Sequence, residues 1–570
     1  MKKRAQVESV AEAYLELLAS RRVEYFFGNA GTDFAPIVEA YAKRAAQGQV
    51  LPRPITVPHE TPAVAMAHGY AMVTGRPQLV MVHVNVGTAN ALGGIINAAR
   101  ANAPILFSAG RTPLTEGALP GARNRQIHWA QESFDQGSMV REYVKWDYEL
   151  RMGAQLETVV DRALAISTSE PAGPVYLTLP REVLSERMTD FEYFEPTRLA
   201  AHEASMPDPA AVERAAQILA AAKHPLIIAK SSARDPEAVR PLVALAEALA
   251  IPVVEQFHTH VNFPQDHPLH AGYDSTPYLD AADVIVVIEA DAPWFPNLRA
   301  PRPETTIIQV GQDPLFSRYP IRGFAVDLAL AGAPRLTLAA LADAAKRAGA
   351  DQAAVTARRA HWEAEHKKLV ESWAARARKA QTERPIDMVW VSRCIGDLLD
   401  ARTLVVNEYD LDTTQTTFRT PGTYFGSSPA AGLGWGLGAA LGAKLAAPEQ
   451  TVVCAVGDGA YIFGAPTAAH WVSRAYQLPV LWVIFNNRAW NAVKRSVQAH
   501  APDGWAVRTG TMMLSDLDPA PDYELVCQAS GGHGERVEDP EALPGALARA
   551  LRVVREERRQ ALVNVICKKP

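Results

Sequence analysis

Short runs of β-branched and aromatic residues recur along the chain, each followed by a glycine-rich or polar turn and then by an alanine-rich stretch with helical spacing. QLVMVHV (78–84) precedes GTANALGGIINAARA, TVVCAVGDG (451–459) precedes another helical pattern, and VLWVIFNN (480–487) follows that. Strands that are apolar throughout and alternate with helices predict parallel sheets covered on both faces. Near the start, QVESVAEAYLELLA (6–19) mixes glutamates with apolar positions. That pattern predicts an amphipathic helix rather than the apolar block of a signal segment.

The rhythm separates into three blocks, and 570 residues exceed what one core accommodates. The expected fold is α/β with three doubly wound parallel-sheet domains, at 1–184, 208–350 and 385–570. The first block ends with PVYLTLPREV, and a connector with Pro and Glu follows at about 185–207. PLIIAKS, IPVVEQF, VIVVIEA and TTIIQVG supply the strands expected of the second. A long charged helix at about 352–381 leads to the third, which opens near Pro385.

Composition narrows the function classes. A net charge of −5 with 21% charged residues gives no electrostatic case for nucleic acid or an anionic membrane as partner. Cys394, Cys454, Cys527 and Cys567 are far apart and form no CxxC pair, which argues against zinc and disulfides. No stretch of about 20 uncharged apolar residues exists to span a bilayer. A cytoplasmic protein is expected.

The candidate chemistry centres on Gly457-Asp458-Gly459 and Asn486-Asn487. GDG closes an apolar run where strand gives way to turn. Glycines there let backbone approach a phosphate, and the following helix N-terminus favours an anion. Asp458 offers a hard carboxylate oxygen and Asn487, at the end of the next strand, an amide oxygen. Magnesium takes few protein ligands and completes its shell with phosphate and water, which suits this sparse set. Both motifs lie at the carboxyl ends of strands, where open parallel sheets bind ligands.

With these motifs the whole chain resembles the thiamine-diphosphate (ThDP) enzymes grouped around acetolactate synthase, benzoylformate decarboxylase and oxalyl-CoA decarboxylase. The resemblance implies pyrimidine-binding, middle and diphosphate-binding domains in that order, with ThDP and Mg2+ as cofactors. VPHETPAVAMAHGYAMVTGRP (57–77) matches the family's glutamate segment and makes Glu60 the acid that hydrogen-bonds the cofactor's aminopyrimidine. A lone buried carboxylate is costly, so it is expected to share a proton with the ring. Ala431-Gly432-Leu433-Gly434 resembles the segment whose apolar side chain wedges the cofactor into its bent shape. Leu433 is then the wedge and the Gly432 carbonyl an acceptor from the pyrimidine. Gly457, Gly459 and Ala460 line the diphosphate. The Ala489 carbonyl joins Asp458 and Asn487 at the metal. Gly31 and Thr32 in GNAGT, and Gly87 and Asn90 in GTAN, are similar to loops that line the site from the first domain. His83 and His267 resemble the active-site histidines of benzoylformate decarboxylase, a pair suited to moving protons. Gln131 resembles a polar residue near the thiazolium.

Two departures bear on substrate. The stretch from Asp458 to Asn487 is about two residues longer than in acetolactate synthase or benzoylformate decarboxylase, and resembles some 2-hydroxyacyl-CoA lyases. The turn AKSSARDPEA lacks the glycines that ease approach to a pyrophosphate, which counsels against FAD. Lys568 and Lys569 offer either a partner for the coenzyme A diphosphate or a solvated tail. The leading expectation is 2-oxo acid decarboxylation with carboligation. Acyl-CoA cleavage or decarboxylation is the alternative, and a non-catalytic ThDP-binding protein the rival of another class. The resemblance also implies a homodimer or homotetramer.

Overall fold

The computed structural model of the chain describes residues 1–49 and 51–569. Its first part carries β1 (Lys2–Gln6), β2 (Tyr25–Gly28), β3 (Arg53–Thr56), β4 (Leu79–Val82), β5 (Leu106–Arg111), β6 (Asp147–Glu149), β7 (Val175–Pro180) and β8 (Asp190–Phe194). The strands β2 to β7 form one parallel sheet in the order β3-β2-β4-β5-β7-β6. β4 and β7 are buried along their whole length, because helices cover both faces. β1 and β8 pair antiparallel in a separate ribbon, so part of the segment 185–207 folds back onto the N-terminus. The amphipathic pattern at the start forms the helix Val10–Ser20, capped by the Ser9 hydroxyl accepting from the Glu12 amide.

The middle sheet contains β9 (Pro225–Ala229), β10 (Val253–Val254), β11 (Val284–Ile288), β12 (Thr306–Gly311) and β13 (Leu328–Ala331). They run parallel in the order β10-β9-β11-β12-β13. The charged pattern that follows is the helix Gln352–Ala380, whose first turn is capped by the Asp351 carboxylate. The last sheet contains β14 (Thr403–Glu408), β15 (Tyr424–Gly426), β16 (Thr451–Gly457), β17 (Val480–Asn486), β18 (His533–Val537) and β19 (Ala561–Ile566). It is also parallel, in the order β15-β14-β16-β17-β19-β18.

The first and last sheets therefore share one topology. Counting each sheet's strands in chain order, both read 2-1-3-4-6-5. The order reverses between the first and third strands, and ligands of such sheets bind at the carboxyl ends beside that reversal. No similarity of sequence between the two blocks announces this repeat.

The two outer domains also share a core. Met66 and Tyr70 from the first pack in one cluster with Trp435, Leu437 and Leu441 from the last. The helices Glu60–Thr74 and Trp435–Ala446 touch backbone to backbone. A Cβ on Gly69 would lie 2.1 Å from the Ala439 carbonyl oxygen, and one on Gly442 1.9 Å from that of Met66. Nothing larger than glycine fits at either place. This contact fixes the helix that Glu60 opens against the domain that carries Asp458. Among the described residues no helix is long and apolar enough to cross a membrane.

Candidate functional site

The first group of candidate residues gathers at the carboxyl ends of β2, β3 and β4. Glu60 is the first residue of its helix, half-buried, and its Oε2 accepts from Asn90 Nδ2 at 2.5 Å. Asn90 lies on the helix Val84–Arg100, and His83 occupies the residue before that helix. His83 Nδ1 is 2.6 Å from Oδ1 of Asp33, which is almost wholly buried. The Asp33 hydrogen bond holds the imidazolium above the ordinary histidine pKa despite partial burial, with Gln131 and Glu60 acting in the same direction. Gly31 packs against the His83 ring, and Gly87 packs on Val82 beneath the same helix. Thr32 Oγ1 lies 3.3 Å from His128 Nε2. Thr32, Asp33, His83, His128 and Gln131 surround one recess, in which the buried Gln131 Oε1 has no hydrogen-bond partner.

The second group lies at the carboxyl ends of β14, β16 and β17. Asp458 follows Gly457 and opens the helix Asp458–Phe463. The residue is 1% exposed. Oδ1 accepts the Gly459 amide at 2.8 Å and Oδ2 the Arg488 amide at 2.6 Å. Asn487 Oδ1 accepts the Ala489 amide at 3.0 Å, so the two motifs are laced into one loop pair. Burial pushes Asp458 up to about 6, against the pull of its backbone donors. Asp410 lies against Gly457, where a Cβ would come 2.1 Å from its Oδ2. Desolvation, with Asp458 adding repulsion, pushes Asp410 up to about 7. Ala460 is buried beside Gly459 in the first turn of the helix. Among the described residues no three His, Cys, Asp or Glu side chains are grouped to hold a metal. One carboxylate, one amide oxygen and one backbone carbonyl, beside a second acid, make a donor set that fits a hard divalent cation sharing phosphate and water ligands.

Gly432 and Leu433 stand between the groups. The Gly432 amide donates to Asn97 Oδ1 and its carbonyl accepts from Asn97 Nδ2, both at 2.9 Å. Asn97 thus clamps this turn to the first domain and already occupies the carbonyl read as a pyrimidine acceptor. Leu433 is half-buried against the shared core. Behind it the fully buried Glu408 carboxylate accepts the Gly434 and Gly436 amides at 2.7 and 2.6 Å. Burial pushes Glu408 up to about 7.

His267 is not brought to His83. Its Nε2 is 3.3 Å from Glu247, its Nδ1 accepts the Leu269 amide, and its ring meets Phe263 edge-on, all within the middle domain. Lys568 pairs with Glu383 and Lys569 with Asp518, at exposed positions. Asp33, Asn97 and Glu408 are the residues that sequence reasoning misses. Asn97 had a signal, since seven residues from Asn90 is two helical turns on one face. Asp33 and Glu408 meet their partners only through the strand order.

Comparison with known proteins agrees with this geometry. Family models match in chain order: "Thiamine pyrophosphate enzyme, N-terminal TPP binding domain" over 8–139, its central domain over 212–341, and its C-terminal TPP binding domain over 409–565. Acetolactate synthase isozyme 3 large subunit of Escherichia coli K12 is 26% identical, over 96% of this chain and 93% of its own. Benzoylformate decarboxylase of Pseudomonas aeruginosa is 25% identical, over 96% and 97%. A 2-hydroxyacyl-CoA lyase of Oryza sativa is 25% identical, over 96% and 93%. The solved ThDP-dependent 4-hydroxybenzoylformate decarboxylase of Rhodococcus jostii RHA1 shares the fold, with a TM-score of 0.78 at 22% identity over 99% of both chains. Three matched domains in one order, on two like sheets whose switch points carry the expected acids, make this chain a member of the thiamine pyrophosphate enzyme family.

Proposed function

We propose that the protein decarboxylates a 2-oxo acid with ThDP and Mg2+, releasing an aldehyde or joining the remaining acyl unit to a second carbonyl compound. The observation that carries this reading is a histidine held toward its protonated form beside Glu60, on the domain opposite the Asp458 loops. A cation there attracts the substrate carboxylate, and a proton donor is needed once carbon dioxide has left.

The domain boundaries 1–184, 208–350 and 385–570 belong to the same proposal. Asp458, Asn487 and the Ala489 carbonyl would hold the magnesium ion, with Gly457, Gly459 and Ala460 framing the diphosphate. When bound, ThDP supplies the electron sink for breaking the bond next to the carbonyl. Glu60 would hydrogen-bond the pyrimidine, and Asn90 holds its carboxyl group for that task. Leu433 would pack against the cofactor, its turn anchored by Asn97 and Glu408. Gly31, Thr32, Gly87 and Gln131 border the reacting carbon, and His83 moves the proton. His267, engaged with Glu247, has no assigned part in this proposal. Among the described residues no hydrogen bond joins the Glu60 group to the Asp458 group. A homodimer, in which each group faces its complement on a second copy, completes two sites.

The acyl-CoA alternative draws support from the 2-hydroxyacyl-CoA lyase relative, while Lys568 and Lys569 lie in exposed ion pairs with Glu383 and Asp518. Incubating holoenzyme separately with pyruvate, benzoylformate and a 2-hydroxyacyl-CoA decides. Carbon dioxide from an oxo acid is the expected outcome. Formyl-CoA from the thioester alone transfers the assignment to the alternative.

A further inference from the structure

Asp33 ends the loop that follows β2, and its carboxylate does two things at once. One oxygen takes His83 Nδ1 at 2.6 Å, and the other accepts the Val84 amide at 3.3 Å, tying the pair to the start of a helix. Two glycines make the room. A Cβ on Gly31 would lie 2.1 Å from His83 Nδ1, and one on Gly110 1.9 Å from Asp33 Oδ2. Because Nδ1–H is given to Asp33, the neutral ring keeps its lone pair on Nε2, and the protonated ring carries its transferable proton there. Glu60 heads the neighbouring helix. Gln131 and His128 come from the segment after residue 126, Arg111 from the end of β5, and Arg181 from the turn after β7.

Building on the decarboxylase reading, we propose that Asp33 is the positioning residue of the reaction: it fixes the tautomer of His83 and keeps the ring protonated so that Nε2–H delivers the proton that ends the cycle. When the carboxylate leaves as carbon dioxide, the electron pair of the broken C–C bond stays on the former carbonyl carbon. The Nε2–H bond breaks, a C–H bond forms with that pair, and neutral His83 regains a proton from water before the next turnover. The raised histidine pKa agrees with this, since partial burial opposes protonation and the Asp33 contact outweighs it, with Gln131 and Glu60 acting in the same direction.

The test uses holoenzyme carrying 13C-labelled histidine, with the His83 resonance identified by its loss in His83→Gln. Asp33→Asn is expected to lower the titration midpoint of His83 by about one to two pH units. With whichever of benzoylformate, pyruvate or 2-hydroxyacyl-CoA wild-type enzyme turns over, kcat at pH 7 falls by roughly tenfold or more. The alkaline limb of the kcat profile moves down by the same interval, ThDP affinity is unchanged, and Asp33→Asn costs nothing further in a His83→Gln background. An unmoved midpoint overturns the proposal, as does a loss of turnover additive with His83→Gln. If Asp33→Asn does not fold, Gly110→Ala, which displaces the carboxylate from the ring, is read by the same titration. Failure of the substrate reading is distinct: wild-type enzyme then releases no carbon dioxide from any oxo acid, whatever the midpoint does.

Discussion

The first and last sheets place different residue types at the same switch point. In each, the turn after the first strand supplies an aspartate and the turn after the third supplies its neighbour. In the first domain the neighbours are Asp33 and His83, and the two charges neutralise each other. In the last they are Asp410 and Asp458, two acids that burial pushes up to about 7 and about 6, with repulsion from Asp458 adding to the rise of Asp410. One change of residue type, base to acid, converts a self-sufficient pair into a place that gains from a cation. In the proposed function the first side moves protons and the other holds the metal and the diphosphate, so a working site needs both.

Glu60 is the test of that division. It follows the second strand of the first sheet, whereas the second strand of the last sheet runs into Gly426-Ser427-Ser428 and offers no acid. Glu60→Gln keeps the shape and the Asn90 contact but removes the shared proton. We expect ThDP to remain bound and turnover to fall by about 100- to 10,000-fold, the span of a general acid–base group. Near-wild-type rates would break the division outright. Asp458→Ala sharpens the other side. Magnesium-dependent ThDP binding, followed by titration calorimetry, should weaken by about 100-fold, in the range seen when ligation is damaged. Unchanged affinity removes Asp458 from the metal.

The surface that joins the two sheets gives a smaller, purely structural effect. Gly442→Ala sets a methyl group 1.9 Å from the Met66 carbonyl oxygen, so the helices Glu60–Thr74 and Trp435–Ala446 must move apart. Overpacking of this kind costs about 1–3 kcal/mol, read as a lower denaturation midpoint in urea. A midpoint equal to wild type shows the contact to be softer than the backbones imply.

What the sequence made legible follows a physical division. Runs such as VIVVI and VLWVIF read as strands because burial on both faces leaves them no polar position, and Gln352–Ala380 reads as a helix because alanines and charged residues recur along it without a Gly or Pro. GDG, Asn487 and Glu60 were visible because each lies at a strand end, a local turn or a helix start. The Asp33–His83 pair was half visible: the histidine stood out by its type, while its partner lies 50 residues earlier, in the turn after another strand. Glu408 was hidden for the same reason, 26 residues from the amide it caps. The shared 2-1-3-4-6-5 order left no trace, because topology constrains which positions are apolar and not which apolar residue fills them.

Glu408 supplies the mildest and most discriminating prediction. It ends the first strand of the last sheet, where the first strand of the other sheet ends in Gly28. Its folded pKa of about 7 lies above the ordinary glutamate value, so folded protein binds a proton that the unfolded chain gives up. The stability this contributes is fully present below about pH 4.3, the unfolded value, and is lost as pH rises through 7. In Glu408→Gln the side chain no longer titrates, although one of the Gly434 and Gly436 amides then faces an NH2 group in place of an oxygen. For cofactor-free protein, the loss of unfolding free energy between pH 5 and 8 should therefore be shallower in the variant, by about 1–3 kcal/mol. Parallel curves would mean that the two amides hold Glu408 ionised in the folded protein, and the contrast between the two switch points would then rest on Asp410 and Asp458 alone.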